Sequence, residues 1–304
     1  MDLSRKERRL EAIEEQGLWP FISRRIYRHY SGSHHAWQSR HHRKGLSVFE
    51  PLELLPLHAL IGRGLWMPKD LNWWIGVIFA FGSALFVAGS VRVIESSLGR
   101  LEFPDPDLIQ SLDPNLIFFA GSIPFTAAAY LQLFQAANAG DPAASDRLAP
   151  KHRAVFGWKP GEIGWLSCAL QFLGTLLFNA NTFDALLPEL GRLQQNLAVW
   201  APDFVGSMLF LASGYLAFGE TCHTYWAWKP QSLSWWITFT NLLGCIAFMI
   251  SAFFAFVPKE APPFNAALVS LFFTLLGAFG FLAGSLLMLA EASDAASHGS
   301  ASAP

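Results

Sequence analysis

Residues 73–90, WWIGVIFAFGSALFVAGS, decide the fold, because their pattern returns five more times along the chain. At the centre stands Gly82-Ser83-x-x-Phe86: a glycine, a small residue, two apolar positions and a phenylalanine. The same signature recurs at Gly121 and Phe125, Gly174 and Phe178, Gly206 and Phe210, Gly244 and Phe248, and Gly277 and Phe281. Each copy sits inside its own long apolar segment. The first, third and fifth copies carry a tryptophan nine residues upstream (Trp73, Trp165 and Trp235), and the others lack it. Alternation of this kind predicts tandem repeats of a two-helix unit, not six equivalent helices.

Composition agrees with a chain that lives in lipid. Of 304 residues, 52% are hydrophobic and 14% charged, with 27 Phe and 12 Trp, whereas a soluble domain carries about 25% charged residues. Apolar runs of about 20 residues suffice, at about 1.5 Å rise per residue, to cross about 30 Å of hydrocarbon. Cys168, Cys222 and Cys245 show no paired spacing, which argues against a disulfide framework or a zinc knuckle. No apolar signal-peptide region precedes residue 70, and Glu7, Glu11, Glu14 and Glu15 are out of place in a mitochondrial transit peptide.

Spanning helices are expected at about 73–92, 115–136, 163–182, 203–222, 235–257 and 266–290. Ahead of them, residues 2–15 read as a short charged helix, and residues 16–49 contain no acid. There Arg24, Arg25, Arg28, Arg40, Arg43 and Lys44 are threaded with histidines and aromatics, a composition suited to anionic lipid headgroups. Residues 52–66 read as interfacial, and leucines within 181–201 as a surface amphipathic helix. Alternate sides of the membrane hold 17 and 4 Lys and Arg residues, which places both termini in the cytoplasm of a cell (inner) membrane protein.

The expected architecture is therefore an all-α integral membrane protein with six transmembrane helices, arranged as three parallel two-helix hairpin repeats behind a basic cytoplasmic segment. Its parts are residues 1–70, repeats at 71–140, 160–224 and 233–291, and a disordered tail at 292–304. Gly and Phe four residues apart share a helix face. Where lipid gives helices little drive to associate, small residues permit close approach. Helix packing is thus the expected role of all six Gly and Phe pairs.

The pattern of two GSxxF helices in a hairpin resembles the YrhK-like domain of bacterial membrane proteins, here in three copies that leave residues 1–70 uncovered. The resemblance implies integral membrane location and supplies no catalytic residues. Mitochondrial carriers share the three-hairpin plan, but the Pro-x-Asp/Glu-x-x-Lys/Arg motif that ends their odd helices is missing here.

Candidate chemistry is sparse. Gln132, Gln135, Gln171, Asn179 and Asn241 are the polar residues at membrane depth and form a candidate pathway, although amides of this kind more often bridge helices. Glu220, Cys222 and His223 offer metal-competent side chains without a second ligand pair. No nucleotide, hydrolase or haem motif is present, so no enzymatic activity, cofactor, metal or nucleic acid is expected. The leading functional expectation is a non-catalytic membrane scaffold or regulator that engages anionic lipid, a protein partner or a second copy. The alternative is a small-solute or ion pathway between the repeats.

Overall fold

The computed structural model describes residues 11–28, 34–46, 66–97, 113–140, 153–188, 190–260 and 263–301. Three short strands come first: β1 (Glu11–Gln16), β2 (Arg24–Arg28) and β3 (His34–Gln38). They form an antiparallel sheet in the order β1-β2-β3, with Glu15 opposite Arg25 and Tyr27 opposite His35. The expected helix over 2–15 is thus a strand over its described part. Long-range pairing overrides helix propensity there: the Arg25 Nε donates to Glu15 across the strands at 2.9 Å. Gly17 lets the chain turn back, since a Cβ at that position would lie 2.3 Å from the Phe21 carbonyl oxygen. A short helix, α1 (Ser39–Lys44), follows and ends on Gly45 in the left-handed region (φ +66°), where glycine is favoured.

Six long helices complete the chain: α2 (Leu71–Ser97), α3 (Pro114–Ala137), α4 (Ile163–Asp184), α5 (Arg192–Cys222), α6 (Leu233–Phe254) and α7 (Ala266–Ala301). Each is long and apolar enough to cross a membrane, so the chain is a multi-pass membrane protein. Local sequence sets several of the starts. Asp113 caps α3 by accepting from the Asn115 amide, with Pro114 in the first turn, and Ser232 caps α6 by accepting from Trp235. Residues 192–200 do not form a separate surface helix. They continue into α5 through a π-helical turn at Gln195–Trp200. Nor is the C-terminal segment irregular, for α7 runs on to Ala301 with Ala292 and Ser293 buried. The interfacial segment expected at 52–66 lies, except for Trp66, outside the described residues.

The six helices close into a ring in chain order. Each packs on its sequence neighbours, and α7 returns to α2. Within the pairs α2–α3, α4–α5 and α6–α7 the signature glycines face each other. A Cβ on Gly82 would meet Phe125 at 2.7 Å, and one on Gly121 would meet Phe86 at 2.8 Å. Gly174 and Gly206 each face the other's carbonyl oxygen at 3.1 and 3.2 Å, while Gly244 faces Phe281 and Gly277 faces Phe248, both at 2.9 Å. The small residues beside the glycines are all buried, and Ser83, Ser122 and Thr175 return their hydroxyls to carbonyls of their own helix.

The upstream tryptophans face inward. Trp73, Trp165 and Trp235 are buried, and the indole N–H groups of Trp165 and Trp235 donate to the Phe156 and Ala227 carbonyls. Each packs edge-on against an exposed tryptophan seven residues earlier: Trp66, Trp158 and Trp228. The outer indoles are exposed, while the loops before α4 and α6 supply the carbonyls that the buried Trp165 and Trp235 N–H groups need.

Candidate functional site: two cavities parted by phenylalanine

Six phenylalanines of the repeated signature meet at the centre of the ring in two layers. Phe86, Phe178 and Phe248 form one, with Phe248 centroids 6.3 Å from Phe86 and 5.9 Å from Phe178. Phe125, Phe210 and Phe281 form the other, with Phe281 centroids 5.6 Å from Phe125 and 5.9 Å from Phe210. The layers touch through the pairs 86–125 at 5.5 Å, 178–210 at 4.8 Å and 248–281 at 5.6 Å. These are the separations at which aromatic pairs attract beyond their buried area.

On one side of the layers lies a cavity of about 60 Å³, room for a few waters. Phe210 and Phe281 border it, and Gln132, Gln171 and Asn241 line its walls. No hydrogen bond joins these three amides to the described residues, so their polar groups are available to water or solute. Gly284 makes space for Asn241, whose Oδ1 would lie 2.2 Å from a Cβ there. The other two candidate pathway residues are placed elsewhere. Gln135 donates to Asn72 at 3.0 Å, and Asn179 donates to Thr126 at 2.8 Å, tying α4 to α3.

Helix α1 roofs this cavity. Arg40 forms a two-point ion pair with Glu291 of α7, and Lys44 reaches the same carboxylate at 2.5 Å. Arg43 pairs with Glu220 of α5 at 2.9 Å, and Ser39 donates to Glu220 at 2.5 Å. Arg40 also donates to Ser234 of α6, His42 to the Gly140 carbonyl beyond α3, and Asn72 of α2 to the Lys44 carbonyl. On α4, Gly164 supplies the clearance, since a Cβ would lie 2.5 Å from the Arg43 Nε. One six-residue helix is thereby tied by hydrogen bonds or ion pairs to α2, α5, α6 and α7 and to Gly140 just beyond α3, and it packs on α4.

The structure places Arg40, Arg43 and Lys44 in ion pairs with ring carboxylates and not at a lipid surface: Arg40 and Lys44 are buried, and the Arg43 side chain is 10% exposed. A buried cation needs a carboxylate partner more than a surface cation needs a headgroup. Arg24 and Arg25 are part-exposed and hydrogen-bonded to Gln16 and Glu15, and Arg28 is exposed. Burial and Arg40 outweigh Glu291 to lower the Lys44 ammonium to about 8. For Arg43, burial acts to lower the guanidinium, but Glu220 prevails and holds it above its usual value. Glu220 is occupied by Arg43, and His223 shares a hydrogen bond with Ser23 at 3.0 Å. Glu220, Cys222 and His223 do not gather as a metal site among the described residues.

Beyond the other layer of rings lies a larger, more open vestibule of about 480 Å³. Phe86, Phe178 and Phe248 form its floor, while Trp200, Asp203 and Asn181 stand in its wall. The π-helical turn of α5 leads directly into Trp200, whose indole donates to the Ala252 carbonyl at 2.9 Å. Nothing local in the sequence marks Asp203, since an acid three residues after the turn looks like an ordinary helix start. Comparison with family models, with curated proteins and with solved structures finds no match to this chain.

Proposed function

We propose that the chain forms a small-solute pathway along the axis of its helix ring, shut by the two phenylalanine layers and by the α1 lid. The observation that carries this reading is the succession of lid, polar cavity, rings and vestibule around a common centre. Apolar constrictions between wetted cavities close pathways by excluding water. With α1 docked and the vestibule open, the arrangement corresponds to access from the vestibule side alone.

Three parallel hairpins, α2–α3, α4–α5 and α6–α7, generate the ring in this reading, with a pseudo-threefold axis along the membrane normal. The facing glycines and the threefold recurrence of Trp-x-Pro-x-x-x-x-Trp at 66–73, 158–165 and 228–235 support it. They add a second motif to the threefold repeat. The excess of Lys and Arg on the lid side supports a cytoplasmic position for the lid and both termini, with the ring in a cell membrane. No catalytic step or cofactor is assigned. The test is solute release from liposomes holding the purified full chain, with and without Arg43→Gln to loosen the lid. Absence of protein-dependent flux in both would overturn the pathway.

The scaffold reading keeps one observation in its favour. Trp19, in the turn between β1 and β2, is 84% exposed, and Arg28 of β2 is exposed, a pairing suited to an anionic membrane surface. Retention of the pathway's closed state with no flux, together with salt-sensitive binding to phosphatidylserine vesicles lost in Trp19→Ala, would favour it.

A further inference from the structure

We propose that the vestibule is a binding site for an organic cation, an amine bearing apolar or aromatic substituents. As the solute of the pathway this ligand rests on the reading above, but its binding can be measured without passage.

The unmet demand of the site is for positive charge and N–H donors. The Asp203 carboxylate stands in the wall, and among the described residues it forms no ion pair. No Lys, Arg or His is among the described lining residues. Asn181 is its polar neighbour, is only 6% exposed, and has an Oδ1 with no hydrogen-bond partner. A buried acceptor left unpaired is costly, and most such atoms in folded proteins find a donor. An amine supplies both the charge and the donors; an anion supplies neither.

The remaining walls favour the rest of such a molecule. The rings of Phe86, Phe178, Phe248 and Trp200 line the cavity, and aromatic faces attract cations within about 6 Å. A volume of about 480 Å³ falls in the range of about 300–1,000 Å³ that holds small organic ligands. The π-helical turn at Gln195–Trp200 adds an independent mark, since such turns occur frequently at functional sites. At the far end the charge logic repeats. Withdrawal of α1 would carry Arg40, Arg43 and Lys44 away and leave Glu220 and Glu291 facing the inner cavity, the same sign as Asp203.

The experiment is calorimetric titration of the detergent-purified full chain with 2-phenylethylamine, 2-phenylethanol and 3-phenylpropionate. The protonated amine should bind saturably, with the alcohol and the carboxylate weaker by about tenfold or more. Asp203→Asn should weaken the amine by about tenfold or more and leave the alcohol unchanged, while Asp203→Glu retains part of the preference. Should Asp203→Asn unfold, Asn181→Ala leaves the carboxylate in place and should still weaken the amine selectively. Equal binding of the three probes, no saturable amine binding at millimolar concentration, or unchanged amine affinity in the folded variants would overturn the assignment. Flux lost with amine binding intact overturns the pathway alone, and flux present without amine binding overturns this site alone.

Discussion

Gly244 has no room for a side chain. A Cβ there would lie 2.9 Å from the Phe281 ring and 3.1 Å from the Gly277 carbonyl oxygen. Backbone on the far side cannot rotate away, so even Gly244→Ala should cost about 1 kcal/mol, and Gly244→Leu about 3 kcal/mol or more. Phe253, 67% exposed, should tolerate Ala within about 0.5 kcal/mol. Thermal unfolding in detergent would rank the three, and a loss from Gly244→Leu no larger than that from Phe253→Ala would remove close packing as the reason for the glycine. Histidines provide a second test at this scale. Burial, with Arg40 adding to it, pushes His41 down to about 4, and burial with Lys229 does the same to His223. An unfolded histidine titrates near about 6.5, so between about pH 4 and 6.5 the unfolded chain binds more protons. Stability should therefore fall as pH drops through that window and be insensitive to these groups above it. His223→Asn, which accepts the left-handed backbone at φ +59°, should flatten part of the slope in a pH series of melting temperatures.

As an element, α1 is too short to persist alone; its ion pairs and hydrogen bonds to the ring hold it. Removing one partner of a buried ion pair strands the other charge and costs about 3–5 kcal/mol. Arg43→Gln and Glu220→Gln should each approach that loss, and the double variant should lose clearly less than their sum. Protease sensitivity of residues 39–45 is the readout, and strict additivity would mean that the pair does not hold the lid. From sequence, SRHHRK reads as part of a basic segment suited to lipid headgroups. Its partners are 177 and 251 residues away, at Glu220 and Glu291, a separation no local pattern reports. The three-stranded sheet was hidden for a related reason, because the charged run over 11–16 has helix-forming composition until β2 pairs with it.

At the scale of the whole molecule, the aromatic layers set the permeability. Phe210→Ala and Phe248→Ala together open one position in each layer and should raise solute leak through the reconstituted chain well above wild type, provided the ring stays folded. Leak equal to wild type from a folded double variant would place the barrier elsewhere. Six spanning segments, and the glycine and phenylalanine pairs within them, were readable in the sequence alone, since length, apolarity and i,i+4 spacing are properties of single helices. The repeated Trp-x-Pro-x-x-x-x-Trp was equally present but became visible only when the inner indoles proved buried and the outer ones exposed. Convergence of six phenylalanines into two layers, the cavities they separate, and the pairing of α1 with Glu220 and Glu291 were decided by tertiary structure. A helix's own periodicity says which residues share a face. Which faces meet, and which buried charges find each other, depends on the order in which helices close a ring, and that is a property of no single segment.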